Sequence, residues 1–368
     1  MWKTPTILLA ILMVLFYWDA TLSRREADTR RSSSQVRQLI PPGKREGKLV
    51  AAIQVEEPSR KESSLYGHVR GSWRCLSLWG VMADEARIRG LLEKLFNAQG
   101  IVQSRDRARM PDYGLDEKNV LRLSLHGPRI LERRGRDVLQ SFDVGFPVPG
   151  GNGCYVRVSG SDEVIAIDEN LREELARPEE STLPPLLDPH VIPAIWPGKA
   201  GIRRISIERE DGEKFEIARR DKSLSPDELR AGKIPWDWIL RKDGNEVTCD
   251  PLVSTAYVMF LQRAPYTALI DPRTLPDLGL DKPSARLILR SPEGEGQEGG
   301  SPLGSGALEI AIGRKGSGPG SGSGVPVENR LTQNLFEVSS EVAGLMAPRS
   351  EQLTRADRAN PWEPWLRR

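Results

Sequence analysis

A short stretch, Pro111-Asp112-Tyr113-Gly114-Leu115-Asp116, returns in the second half of the chain as Pro276-Asp277-Leu278-Gly279-Leu280-Asp281. Proline fixes the backbone φ angle, aspartate accepts hydrogen bonds from nearby backbone amides, and glycine adopts positive φ at little cost. The pattern therefore predicts a tight turn whose leucine points back into a core. The residues that we interpret as structural turn residues are Pro111, Asp112, Gly114 and Leu115, and Pro276, Asp277, Gly279 and Leu280.

The similarity extends beyond the two turns, because other residues recur at nearly the same spacing. Trp73 corresponds to Trp238, Asp84 to Asp250, Val144-Gly145 to Ile312-Gly313, and Val164–Ile167 to Leu335–Val338. The second copy has longer loops, which are rich in glycine and serine. Internal similarity of this kind indicates a duplicated module.

Each copy contains one apolar-faced helix after its opening strands. The apolar positions of the first helix are Ile88, Leu91, Leu92, Leu95 and Phe96. Their spacing is that of a single helical face. The second helix is expected to start after Asp250, whose side chain suits an N-cap. Short alternating strands surround both helices. The sequence thus predicts an α+β fold with two tandem repeats, each a largely antiparallel sheet with about two helices, behind an N-terminal transmembrane helix.

An uncharged apolar run extends from Thr6 to Trp18. Widening it to residues 2–22 reaches the roughly 20 residues that a transmembrane helix needs. Aromatic residues at both ends are typical of membrane interfaces. We interpret the run as an uncleaved single-pass anchor, because Trp18-Asp19-Ala20 is a poor signal-peptidase site. A cleaved signal peptide is the alternative.

The anchor and the repeat together predict the domain organisation. We expect a transmembrane anchor at 1–22, a disordered basic linker at 23–47, a first α+β module at 48–177, a Pro-rich connection at 178–200, a second module with Gly/Ser-rich loops at 201–353, and a Trp-containing tail at 354–368. Long domains translocate largely regardless of charge. The expected location is therefore the cell inner membrane, with the bulk of the chain extracytoplasmic (periplasmic). The opposite orientation stays open, since several arginines follow the apolar run.

The charge balance excludes one class of partner. The chain has 53 basic and 51 acidic residues, for a net charge of +2. Basic residues are interspersed with acidic ones along both copies, so the chain has no long-range positive field for nucleic acid. We therefore expect no nucleic-acid partner.

The chain has no motif from which we predict catalytic, cofactor-binding or metal-binding residues. The stretch Gly294–Gly299 matches a dinucleotide-binding pattern by letter, but no apolar helix follows it. There is no Walker A sequence and no GxSxG elbow. His68, His126 and His190 are scattered, without the spacing of zinc ligands. We therefore expect no cofactor.

Two further groups of residues have a structural and a functional interpretation. Asp112 and Asp116 resemble a calcium loop only faintly, because tyrosine, glycine and leucine occupy the intervening positions. We interpret this stretch as a structural corner. Trp73, Trp236 and Trp238 lie on expected strands, and we interpret them as packing against the sheet. A carbohydrate-stacking face is the alternative for these tryptophans.

The order of these features resembles the bacterial family called domain of unknown function 4340, from about Leu49 to Leu353. The shared features are the apolar anchor, Ala83-Asp84 at a helix start, Leu91-Leu92 within it, Gly114-Leu115 and Gly279-Leu280 before strands, Val144-Gly145 and Ile312-Gly313 at strand ends, and Tyr155-Val156. The family offers no catalytic residues to transfer. It is similar to proteins encoded beside ABC-transporter permease and ATPase genes, including auxiliary proteins of gliding-motility-type transporters.

The resemblance therefore implies a non-enzymatic, membrane-tethered extracytoplasmic protein of unknown molecular function. Its expected role is that of an auxiliary or scaffolding partner of an ABC-transporter permease or another membrane protein. An extracytoplasmic ligand- or glycan-binding module is the first alternative, and an unrecognised hydrolase is the second.

Overall fold

The computed structural model describes residues 36–40, 50–131, 137–177, 183–194, 196, 201–231, 234–273, 278–291, 307–315, 324–354 and 360–366. The apolar run that we interpret as an anchor lies outside these residues, as do Pro276 and Asp277. Among the residues that are described, no helix is both long and apolar enough to cross a membrane.

The described strands form two antiparallel sheets. The strands of the first are β1 (Val36–Gln38), β2 (Ala52–Glu57), β3 (Glu62–Val69), β4 (Ser72–Cys75), β5 (Val81–Met82), β6 (Gln99–Ser104), β7 (Leu121–His126), β8 (Val138–Pro147), β9 (Cys154–Val158) and β10 (Val164–Ile167). Those of the second are β11 (Arg204–Arg209), β12 (Lys214–Asp221), β13 (Trp236–Lys242), β14 (Asn245–Thr248), β15 (Ala268–Leu269), β16 (Ala285–Arg290), β17 (Leu308–Ile312), β18 (Gly324–Asn329) and β19 (Asn334–Ser339).

Few helices accompany the sheets in the part of the chain that the structure describes. They are α1 (Glu85–Asn97), α2 (Leu171–Leu175), α3 (Pro226–Arg230), α4 (Pro251–Arg263), α5 (Ser340–Met346), α6 (Ser350–Thr354) and α7 (Glu363–Leu366). The Asp250 side chain accepts hydrogen bonds from the backbone amides of Leu252 and Val253, both at 2.9 Å, which confirms it as the N-cap of α4. The α+β class with antiparallel sheets is therefore present as predicted from the alternating strands and two long apolar-faced helices.

The two sheets have the same strand order. The second runs β15-β19-β18-β17-β16-β11-β12-β13-β14. In the first, β6-β10-β9-β8-β7-β2-β3 follows the same order, and the hairpins from β3 to β4 and from β4 to β5 complete it. The long helices α1 and α4 lie at matching places along the chain, before β6 and before β15. Strand β1 is additional and pairs with β6.

Two compact units divide the chain differently from the boundaries expected from sequence. One comprises residues 1–65 and 87–176, and the other comprises 66–86 and 177–368. Residues 66–86 belong to the second unit because they bond to the Pro-rich connection. The Asp84 amide donates to Leu186 O at 2.9 Å, the Asp188 amide donates to Met82 O at 3.1 Å, and Ala83 bridges to Leu187. This part of the connection is thus built into a folded unit.

Order also begins earlier than the expected boundary at residue 48. Strand β1 lies inside the stretch expected to be a disordered linker, and Leu39 and Ile40 behind it are buried. The Leu39 amide donates to Ala98 O at 3.0 Å. In the second unit, the Val191 amide donates in the same way to Ala264 O at 2.9 Å, and Ile192 is buried. Strand β1 and the buried pair that follows it therefore belong to the folded part of the chain.

The tail packs onto the second unit. Trp362 is fully buried, and its Nε1 donates to Leu345 O at 3.1 Å. Its ring contacts that of Tyr257, with the ring centroids 5.2 Å apart. A buried indole needs such a partner for its N–H group.

Candidate functional site

The first repeated turn ends a 3₁₀ helix that spans Arg107–Tyr113. Gly114 follows with a φ of +69°, and the Leu115 amide donates to Met110 O at 3.1 Å. Leu115 is buried in a cluster with four other residues, namely Met110, Tyr113, Val120 and Val164. The glycine reverses the chain, so that the leucine side chain enters the core before β7 begins.

Asp112 does not take part in this core. Its side chain is 62% exposed, and its Oδ2 lies 3.3 Å from Nε of Arg109. An exposed ion pair between residues three apart on a helical turn contributes little to stability. The Asp side chain that caps the 3₁₀ helix is instead Asp106, which accepts from the Ala108 amide at 2.9 Å.

The second turn has matching geometry in its described part. Gly279 has a φ of +64°, and Leu280 is buried. Leu280 packs in a cluster with Ile270, Leu278, Ala311 and Leu335. Both turns lie at the same topological place, since the first connects β6 to β7 and the second connects β15 to β16. The roles expected for Pro276 and Asp277 fall outside the described residues.

A glycine near the end of a strand lies against each turn: Gly145 is inside β8, and Gly313 directly follows β17. A Cβ atom placed on Gly145 would be 2.1 Å from the Tyr113 carbonyl oxygen, and one on Gly313 would be 3.2 Å from the Leu278 carbonyl oxygen. Both distances are too short for an ordinary Cβ contact. The strand-end glycines thus let the turn backbone approach the sheet.

Arg172 on α2 supports the first turn and was not singled out from the sequence. Its Nη1 donates to Asn119 O at 2.8 Å and to Gly145 O at 3.1 Å. Its guanidinium carbon lies 5.6 Å from the centroid of the Phe146 ring. Burial lowers the pKa of Arg172. No local sequence pattern could have indicated this role, because the acceptors lie on distant strands and loops.

A cleft with a volume of about 620 Å³ opens beside this turn in the first unit. Its apolar side is formed by Met110, Leu115 and Val120. Its charged side chains are Arg107, Asp116, Glu117, Arg122, Asp143, Arg157 and Asp162. The cleft is the candidate functional site, because it brings a buried carboxylate together with several guanidinium groups.

The buried carboxylate is Asp143 on β8, whose side chain is 6% exposed. Arg157 on β9 lies opposite it and donates to its Oδ2 through Nε at 3.0 Å and also through Nη2. Arg122 on β7 lies opposite it on the other side, with Nε 3.7 Å from Oδ1. Hydrogen bonds between a guanidinium and a carboxylate are roughly twice as strong as those between neutral groups.

The second sheet has a different row of residues at the corresponding place. There Arg286 lies opposite Ala311, and Ala311 lies opposite Glu328. Ala311 is fully buried in the cluster around Leu280. An apolar position in the second sheet is therefore a charged one in the first, so the two sheets differ in the chemistry of this row of paired residues.

The rim of the cleft is also paired. Arg107 Nε lies 2.6 Å from Asp162 Oδ1, and Arg122 Nη2 lies 2.5 Å from Glu117 Oε1. The side chain of Glu117 is 75% exposed. Because each guanidinium already has a carboxylate, a ligand with its own charged groups would have to exchange partners here. Glu117 is exposed, and an exposed ion pair contributes little to stability. Replacing Glu117 on Arg122 by a ligand carboxylate is therefore the exchange that loses the least stability.

The histidines do not converge on this cleft. His126 is buried, and neither ring nitrogen makes a hydrogen bond within the described part of the chain; burial lowers its pKa. His190 Nδ1 lies 2.7 Å from Asp188 Oδ1, and His68 packs edge-on against Trp73. The described residues include no group of three or more potential metal ligands.

The cysteines and tryptophans are mostly buried. Cys75, Cys154 and Cys249 are buried free thiols, and burial raises the pKa of Cys249 to about 12. Trp73 and Trp238 are buried, while Trp236 is half-buried. The Arg219 guanidinium carbon lies 3.9 Å from the centroid of the Trp236 ring, a cation–π contact.

Comparison with known proteins identifies the family. A family model described as Domain of unknown function (DUF4340) matches residues 73–283. No curated protein and no solved structure matches the chain. The matched range includes the first repeated turn, its cleft and the described part of the second turn. This match covers more than half of the sequence, and the chain therefore belongs to the DUF4340 family.

Proposed function

We propose that this chain is a membrane-tethered, extracytoplasmic auxiliary protein of an ABC-type transporter, with a scaffolding rather than an enzymatic role. The observation that carries the proposal is the uncharged run from Thr6 to Trp18 ahead of the folded part of the chain. The resemblance to transporter-associated proteins supports the choice of partner. In this proposal the inner membrane holds the anchor, and a permease or another membrane protein is the partner.

We further propose that the folded part arose as two tandem repeats of one module. The identical strand order of the two sheets, the matched positions of α1 and α4, and the matched turns at Gly114 and Gly279 support this. A duplicated module presents similar backbone surfaces twice, with side chains free to differ. Such an arrangement suits a scaffold that contacts more than one part of an assembly.

Protease protection on intact spheroplasts tests the location. We expect protease added outside to digest the chain beyond Ser32, and the chain to remain with the membrane after a carbonate wash. A variant with Leu9→Asp and Leu15→Asp should no longer partition into the membrane, because charges in the centre of a span are costly. A chain that is shielded in intact spheroplasts and digested only after lysis would overturn the proposed orientation.

Crosslinking and copurification from the native host test the transporter role. We expect the full chain to retain a permease, and the Leu9→Asp, Leu15→Asp variant to lose it. If the full chain remains in the membrane but copurifies with no permease, the transporter role is contradicted and the membrane anchor still stands. The matched control is Leu252→Ser, which changes a side chain that is 76% exposed on α4.

A second candidate function is ligand binding in the cleft beside Gly114. The observation that favours it is the buried Asp143 held by Arg157, where the second sheet has Ala311. Replacing a buried ion pair by well-packed apolar residues is often neutral or stabilising, so stability alone does not account for Asp143 and its arginines. Titration of the full chain with short peptides and amino acids tests it. Binding that is lost in Arg122→Gln and retained in Arg286→Gln would support this function.

A further inference from the structure

The turn between β4 and β5 exposes two large apolar side chains. Leu76 is 37% exposed and Trp79 is 45% exposed. Ser77 between them is exposed, and Leu78 is half-buried. The turn from Leu76 to Gly80 contains no charged residue. Exposed apolar residues that cluster in one turn indicate a contact surface more often than scattered ones do.

The backbone of this turn is held firmly in an unusual conformation. Trp79 has a φ of +52°, which is strained for an aromatic residue. The amides of Leu78 and Gly80 both donate to Cys75 O, at 3.2 and 3.0 Å, and Arg74 Nη1 donates to Gly80 O at 3.2 Å. Strain of this kind persists where the surrounding structure enforces it, and it is frequent at functional sites.

The corresponding turn of the second sheet shows that the backbone does not need a tryptophan. Between β13 and β14, Asp243 and Gly244 take φ angles of +51° and +80°. These match the +52° and +75° of Trp79 and Gly80. Aspartate and glycine accept this geometry at lower cost than an aromatic residue does. The apolar residues of the β4–β5 turn therefore serve something other than chain reversal.

We propose that the turn Leu76–Gly80 inserts into the boundary between the headgroups and acyl chains of the lipid bilayer. The inference rests on the proposed anchor. Leucine gains from burial in the acyl region, and tryptophan combines an apolar ring with an N–H group that suits this boundary. The segment from Asp19 to Gln35 spans at most roughly 60 Å when fully extended, so an anchored chain holds β1 within that distance of the bilayer, which allows the turn to reach it.

Because the turn contains no charged residue, this contact differs from electrostatic adsorption to a membrane. Peripheral attachment through basic residues depends on anionic lipids and weakens with salt. An uncharged turn gains its binding from apolar burial alone. The contact is therefore expected in vesicles of zwitterionic phosphatidylcholine, and an added anionic lipid or moderate salt should not strengthen or weaken it.

The test uses an environment-sensitive dye on the full chain reconstituted into phosphatidylcholine vesicles. The natural thiols are all buried, so a dye on the cysteine introduced by Leu76→Cys reports on this turn alone. We expect a blue-shifted emission that is quenched by spin-labelled lipid. Adding Trp79→Asn should remove much of the shift, while the melting temperature stays the same or rises because asparagine tolerates positive φ. The matched control is Leu252→Cys, which should show neither shift nor quenching.

Each outcome bears on the proposal. Flotation of the protein with the vesicles without a shift at position 76 would overturn the inference and leave the anchor standing. Failure to float would overturn the anchor and the inference together. A shift that appears only in native membranes with a copurified protein, and is absent from pure lipid vesicles, would assign the turn to a protein partner and overturn the lipid contact.

Discussion

Gly145 lies so close to Tyr113 that a Cβ atom on the glycine would be 2.1 Å from the tyrosine carbonyl oxygen. We expect Gly145→Ala to destabilise the first unit by about 1–3 kcal/mol, because either the turn or β8 must move to make room. Thermal and urea unfolding measure this. Gly90→Ala on α1 is the control, since no atom of another described segment lies within 4 Å of its Cβ position. Equal stability of the two variants would refute the tight contact.

The two turn glycines should respond differently to substitution. Gly114→Ala and Gly279→Ala both place a side chain at positive φ, which costs about 1–2 kcal/mol. At Gly114 the Cβ atom would also meet the Phe146 ring at 2.6 Å, whereas at Gly279 no neighbouring atom of the described residues lies within 4 Å. We therefore expect the Gly114 variant to be the less stable of the two in urea unfolding. The reverse order would contradict the packing of Phe146 on the first turn.

Leu115→Ala and Leu280→Ala should each cost about 2–5 kcal/mol, because both leucines are buried in apolar clusters. Asp112→Ala should change stability by less than about 1 kcal/mol, because its ion pair is exposed. Differential scanning calorimetry compares the three. A larger loss for Asp112→Ala than for Leu115→Ala would refute the structural interpretation of the turn and favour a ligand role for this carboxylate.

The charge pattern of the cleft can be tested by giving the first sheet the residues that the second sheet has at the corresponding paired positions. Asp143→Ala alone leaves Arg157 without its carboxylate and should cost about 1–3 kcal/mol, because the Arg157 side chain that is left unpaired is 27% exposed. The double variant Asp143→Ala, Arg157→Glu recreates the pattern of Ala311 and Glu328 and should recover part of that loss. A double-mutant cycle from urea unfolding measures the coupling. Strictly additive effects would show that the two positions do not interact.

Glu213 should make the second unit sensitive to acid. Burial raises its pKa, but hydrogen bonds from Lys242 Nζ at 2.7 Å and Ser350 Oγ at 2.6 Å outweigh this and bring it down to about 2. A carboxyl whose pKa is depressed by folding stabilises the fold fully above its unfolded value near 4.3, and the stabilisation disappears as the pH falls through 2.

Stability measured between pH 5 and pH 2 checks this effect. The wild-type chain should lose more free energy of unfolding over this range than Glu213→Gln does, because glutamine cannot titrate. At neutral pH the variant should be less stable by about 1–3 kcal/mol, since the charged partner of Lys242 is lost. Parallel pH curves for the two proteins would contradict the role of Glu213. Glu351→Gln on the exposed face of α6 serves as the control.

Patterns that depend on near neighbours were readable from the amino-acid sequence. The N-cap role of Asp250 needs only the amides that follow it, and the apolar face of α1 needs only the helical period. Turn chemistry is equally local, because a glycine after a 3₁₀ turn supplies positive φ whatever lies beyond it. The class of fold followed from the order of such elements.

The cleft could not be read from sequence, because its residues are adjacent only through strand pairing. Nothing near Asp143 in the chain indicates that Arg122 and Arg157 lie on either side of it. Arg172 reaches Asn119 and Gly145 in the same non-local way. The assignment of residues 66–86 to the second unit likewise depends on hydrogen bonds to a segment about a hundred residues away.

The sequence by itself determined that this chain holds two matching turns, each with a glycine at positive φ and a leucine directed into a core, since both properties belong to the residues themselves. Tertiary structure alone decided that one row of paired strands carries Arg122, Asp143 and Arg157 while its counterpart carries Ala311. The physical reason is that strand register sets which side chains meet across a sheet, and register is a property of contacts between distant segments.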